Sequence, residues 1–213
     1  MIMKRHIGFL AAACLSMGAN AAIIFQDNFD SEAGGIGVST LNFTGFINWS
    51  VAEGTVDVVA NGGWGISCAG GSGKCVDLDG SNSNAGFFSS HELMLTPGYY
   101  TLSVDLSGNQ RGGADTMRMK LGSYVDEWFS LASTDPWQTV VRDFMVTSGS
   151  SEYITLLHDG GDNIGVMLDN VSLNAELAPN VTVVAEPSSM SLIGLGLIGL
   201  GVIRLKQRAS NQT

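Results

Sequence analysis

Three stretches of this 213-residue chain hold side chains suited to catalysis or metal binding, and each departs from the pattern its chemistry needs. His91-Glu92 opens like a helix that grips zinc with two histidines four residues apart, but Leu95 stands at the second position. Gly73-Lys74 ends like a phosphate-cradling loop, yet Cys68 stands where the first glycine is required. Asp77-Leu78-Asp79-Gly80 opens like a calcium loop, but its glycine comes at the fourth position and Phe88 replaces the bidentate glutamate. No Gly-x-Ser-x-Gly elbow is present to expose a nucleophilic serine. Beyond residue 21 only His91 and His158 remain as histidines. Any two of the twenty carboxylates could still face one another across a cleft as a glycosidase pair. No catalytic motif is complete, so the chain reads as a non-enzyme, with glycoside hydrolysis the least favoured alternative.

Both ends of the chain read as addresses. Lys4, Arg5 and His6 precede an apolar run from Ile7 to Met17 and an Ala19-Asn20-Ala21 cleavage pattern, so residues 1–21 are expected to be a secretory signal peptide. At the other end Met190 to Ile203 is apolar apart from Ser191, and Arg204, Lys206 and Arg208 follow. A helix over 190–205 is expected to enter the inner membrane, with the basic tail 206–213 on the cytoplasmic side. Residues 179–189 form a linker, and within it Val184-Ala185-Glu186-Pro187-Ser188-Ser189 precedes the helix. Motif, Gly/Leu/Ile helix and basic end together closely resemble the PEP-CTERM protein-sorting signal. That resemblance implies export in a Gram-negative bacterium and recognition by an exosortase-type transpeptidase at Ala185, Glu186 and Pro187. It also implies release of the helix and delivery to the cell surface or extracellular matrix. Ala185 takes the place of the first proline of the motif.

The body between these addresses, residues 22–178, has the length of one domain. Five of the ten Lys and Arg lie in the end segments while all twenty acids lie between them, so the span 22–187 carries −15. Such a surface excludes nucleic acid as a partner and suits an extracellular setting. Cys68 and Cys75 are the two cysteines left after signal cleavage, and an even count in an exported chain predicts a disulfide across Ala69-Gly70-Gly71-Ser72-Gly73-Lys74.

Short β-strands parted by Gly, Asn, Asp and Ser fill the body. Pro97-Gly98 marks a turn between Leu93-Met94-Leu95 and a run in which Tyr100, Leu102, Val104 and Leu106 alternate with polar residues. Met117, Met119 and Leu121 alternate with Thr116, Arg118 and Lys120 in the same way. Further strands are expected at 55–59, 74–79, 124–131, 139–146, 153–158 and 164–173. The fold class is all-β, an antiparallel β-sandwich (jelly roll).

Asn28-Phe29-Asp30, Trp49, the run from Pro97 to Leu106 and Leu168-Asp169-Asn170-Val171-Ser172-Leu173 resemble the galactose-binding-like jelly rolls, especially the family 4/9/16/22 carbohydrate-binding modules. The resemblance implies polysaccharide binding and a structural Ca2+ held by Asp30 and Asp169, with Asp27 as a further candidate. An alternative for Asp169 is a place in a bulge where the strand register slips. A sugar site on such a fold would offer aromatic faces, and the candidates are Trp49, Trp64, Trp128, Trp137, Tyr99 and Tyr124. Trp64, flanked by glycines, and Trp128, beside Asp126-Glu127, are the two expected to touch ligand, the other tryptophans serving the core. The expected function is thus a non-catalytic exported protein that binds exopolysaccharide. The alternative is a matrix or biofilm protein that acts by self-association without a specific sugar site.

Overall fold

Side-chain alternation builds both main sheets of the computed structural model, which describes residues 21–82 and 84–176. Of the expected signal peptide 1–21 only Ala21 is described, and the expected linker 179–189, helix 190–205 and tail 206–213 lie outside the described residues. In β8 (Gly98–Ser107) Tyr100, Leu102, Val104 and Leu106 are buried and Thr101, Ser103 and Asp105 face away from the core. In β9 (Ala114–Leu121) Met117, Met119 and Leu121 are buried, and Thr116, Arg118 and Lys120 point outward.

One sheet has five strands, in the order β10 (Val125–Ala132), β9, β13 (Ile154–His158), β6 (Phe87–Ser90) and β3 (Trp49–Ala52). The other has seven. Its path runs β11 (Gln138–Val146), β8, β14 (Met167–Glu176), β5 (Lys74–Asp77), β4 (Val56–Ala60) and β2 (Thr40–Phe43). The seventh, β1 (Ala21–Asp27), pairs with the C-terminal half of β14. All these pairings are antiparallel, and the inward side chains of the two sheets meet in one apolar core. The fold is the expected antiparallel β-sandwich.

Aromatic rings fill one end of that core. Trp49, only 2% exposed, stacks on Phe88 with ring centroids 4.5 Å apart, and Phe25 meets Trp49 edge-on at 5.3 Å. Asp27 ties this end together. Its Oδ1 accepts the Phe29 N–H (2.8 Å), and its Oδ2 accepts the Trp49 Nε1–H (3.0 Å) and the Asn48 amide (3.1 Å). Those bonds stabilise a buried Phe29 at φ +58°, a backbone region that side chains other than glycine seldom adopt.

Two features depart from expectation. The strands on either side of Pro97-Gly98 do not pair with each other: β7 (Leu93–Leu95) pairs with β12 (Ser150–Glu152), and β8 enters the seven-stranded sheet. The reason is a corner. The Tyr100 hydroxyl donates to the Thr96 carbonyl (2.8 Å) and accepts the Thr96 N–H (3.0 Å), which holds the chain in a turn between separate sheets. The strand expected at 164–173 lies at Met167–Glu176, and its pairing with β8 shifts register between Asp169 and Ser172. Asn170 there has φ +45°, so the slip between Leu168 and Val171 is a bulge.

Candidate functional site

The outward face of the five-stranded sheet carries two cross-strand rows fixed by register. In one, Trp128 on β10 stands opposite Arg118 on β9, which faces Leu157 on β13, then Phe87 on β6 and Ala52 on β3. In the next, Asp126, Lys120, Thr155, Ser89 and Ser50 follow in the same order. From Trp128 to Phe87 the first row crosses three strand gaps, roughly 14 Å at ~4.8 Å per gap. Apart from Arg118 the first row is apolar, and it lies beside a polar one.

These large side chains remain open. Trp128 is 58% exposed, Tyr153 46% and Phe87 39%. Phe87, Leu157, Thr155, Tyr153, Lys120 and Glu152 line a groove of about 210 Å³. Glu152 lies over Gly122, where any side chain would collide with its carboxylate. At the Trp128 end the Arg118 guanidinium sits 5.4 Å from the indole centroid, a cation–π distance. It also grips Asp126 through Nε (2.6 Å) and Nη2 (2.7 Å), and this bond holds Asp126 below the usual carboxylate range. Ion pair and ring pin each other's orientation, which is how an exposed indole is held ready without a core around it. Flat apolar faces beside donors and acceptors suit a ligand with C–H surfaces edged by hydroxyls.

The remaining expected residues are dispersed. Trp64, 49% exposed, occupies a 3-10 turn (Gly63–Gly65) after β4, away from the strands that bear Trp128. Trp137 is half-buried and its Nε1–H donates to the Ser67 carbonyl (2.7 Å). Tyr124 stacks on Phe144 at 5.2 Å, and Tyr99 is exposed on the outer face of the seven-stranded sheet. Sequence reasoning singled out Trp128 but not Phe87, Tyr153 or Lys120. The parity of Phe87 in β6 and of Lys120 in β9 hints at outward faces, and Tyr153 precedes β13, while their assembly depends on a pairing between strands some thirty or more residues apart in the chain.

Cys68 and Cys75 form the expected disulfide. Asp169 and Asp30 hold the two ends of its loop: Asp169 Oδ2 accepts the Ala69 N–H (3.2 Å), and Asp30 Oδ1 accepts the Lys74 N–H (2.8 Å). Burial pushes the Asp169 carboxyl up to about 7, and the nearby charges of Asp105 and Asp30 add to that push. The two acids are therefore neighbours, and they offer part of the six to eight oxygens that calcium takes. Among the described residues no three His, Cys, Asp or Glu are grouped to hold a metal ion, so backbone or water oxygens would have to complete the set. Both oxygens of Asp27 are taken by Phe29, Asn48 and Trp49.

Comparison with curated proteins gives no match. Among solved structures, the chain is similar to the CBM22-1 xylan-binding domain of Paenibacillus barcinonensis Xyn10C, with TM-score 0.48 and 12% identity over 76% of this chain and 100% of that one. It is also similar to TmCBM61, solved in complex with β-1,4-galactotriose (TM-score 0.46, 21% identity, 62% and 92% covered). A third similar structure is the carbohydrate-binding module CBM6cm-2 of Cellvibrio mixtus lichenase 5A with cellotriose (TM-score 0.36, 12% identity, 73% and 100% covered). Residues 183–207 match the PEP-CTERM protein-sorting motif, so the β-sandwich is followed in this chain by a sorting address.

Proposed function

We propose that this protein is exported and, outside the inner membrane, binds polysaccharide without catalysis on the outward face of its five-stranded sheet. The observation that carries the reading is the Trp128–Arg118–Leu157–Phe87 row with the groove beside it. Sugar rings present C–H patches and equatorial hydroxyls, and this face sets an aromatic strip against a polar one at the spacing of neighbouring strands. Hydrolysis would need two cooperating carboxylates. Among the described residues Glu152 is the one carboxylate that lines the groove. The sorting motif at 183–207 supports export and an encounter with an exosortase-type transpeptidase.

Glycan-array binding tests the reading. Trp128→Ala and Phe87→Ala are each expected to weaken binding tenfold or more, since truncating an aromatic anchor in a binding site costs about 2 kcal/mol. Trp64→Ala, on a separate turn, is expected to leave it unchanged. A blank array with and without calcium would sink the proposal.

Calcium held by Asp30 and Asp169 belongs to the same proposal, because a cation would offset the cost of two close, partly buried carboxylates. Thermal melts in calcium and in EDTA decide it. A Tm several degrees higher in calcium, with the gain lost in Asp169→Asn, supports the ion; superimposable melts remove it.

A further inference from the structure

The described residues contain five cations for nineteen acids, and four of the five are committed. Lys74 is fully buried, with Nζ donating to the Glu32 and Ala33 carbonyls. Arg111 pairs with the buried Asp77. Arg142 makes a two-pronged bond to Glu127 at 2.6 Å on each prong, and Arg118 grips Asp126 in the same way. Lys120 is the exception among the described residues. Its nearest carboxylate oxygen, Asp126 Oδ2, is 3.9 Å away, beyond hydrogen-bond reach and already bonded by Arg118. Its ammonium group therefore keeps its donors for another partner, and Lys120 lines the groove together with Phe87 and Glu152.

From this we infer that the glycan bound in the groove is anionic, with a uronate carboxylate or sulfate ester seated against Lys120 Nζ. The inference rests on the reading of the groove as the glycan site and adds the class of sugar. On a body of such high negative charge a polyanion is repelled from most of the surface, so a cation in an aromatic-lined groove, without a hydrogen-bonded partner among the described residues, gives it a place to dock. Glu152, on the same groove, then accepts a sugar hydroxyl and keeps the anion at the Lys120 side. A charge-assisted bond is short and directional, so it fixes the register of the glycan where stacking alone would let it slide.

The test is titration of the full chain with three matched hexasaccharides: β-1,4-glucuronan, its carboxyl-reduced neutral form, and sulfated cellohexaose, alongside an array of neutral, uronate-bearing and sulfated glycans. Expected is binding of charged glycans at least tenfold tighter than of their neutral counterparts. Lys120→Gln should abolish that preference while leaving residual neutral binding, Glu152→Gln should tighten charged binding a few fold, and Trp128→Ala should weaken both. Uronate and sulfated arms identify which anion is taken. Equal binding of charged and neutral glycans, unchanged in Lys120→Gln, overturns the charge inference and leaves the groove standing. No binding in any arm overturns both.

Discussion

Asp27 shows how much one carboxylate can organise. It accepts three N–H groups from Phe29, Asn48 and the Trp49 indole, and so fixes a left-handed residue, a loop and the largest core ring together. Asp27→Ala leaves buried donors unpaired and is expected to cost about 3 kcal/mol in urea unfolding, with Asp27→Asn costing less because its amide oxygen still accepts. From sequence, Asp27 reads as a spare calcium ligand, since a carboxylate this early in the chain carries no mark of the indole it will meet twenty-two residues later. Trp128 was legible for the opposite reason. Its acidic neighbours Asp126 and Glu127 argued for a surface strand: Asp126 pairs with Arg118 on the face that bears Trp128, while Glu127, on the opposite face of β10, pairs with Arg142 of β11.

At the scale of elements, alternation made β8, β9 and β11 readable, because each has one face in the core and one in solvent. β4 and β5 are buried along their whole length, Asp57, Lys74 and Asp77 included, so their burial follows no two-residue period. β6 hides in Phe87-Phe88-Ser89-Ser90, too short to show a period, and yet it supplies one wall of the groove. The Cys68–Cys75 loop is an element of its own, buttoned at both ends to Asp169 and Asp30. Reducing it should lower the unfolding free energy by about 2.5 kcal/mol on the chain-entropy account, read from urea curves with and without dithiothreitol. An unchanged curve would mean that the two carboxylates alone close the loop.

For the whole molecule, acidity is part of stability. Burial, offset in part by Arg111, pushes the Asp77 carboxyl up to about 7. A carboxyl raised on folding binds its proton more tightly in the native state, so its contribution is present at low pH and is lost as pH rises from the unfolded value, near 3.8, through 7. Burial likewise raises Asp115 and Glu32, whereas it lowers His158, which therefore works against stability as pH falls below its unfolded value of 6.5. Carboxyls outnumber that single imidazole. The urea midpoint is expected to rise as pH falls from 7 to 5, with Asp77→Asn flattening much of the slope; a midpoint that falls over this range contradicts the burial of these groups. Composition revealed the net charge but not which acids would be submerged, because that depends on how the two sheets close over them.

β14 is the final strand of the described body, and it lies inside the seven-stranded sheet with β8 on one side and β5 and β1 on the other. A polypeptide that has emerged only as far as residue 166 has an open seam where β14 should join β8, β5 and β1. The seven-stranded sheet closes only when that strand arrives, so completion of the sandwich is set late by the order of the chain itself.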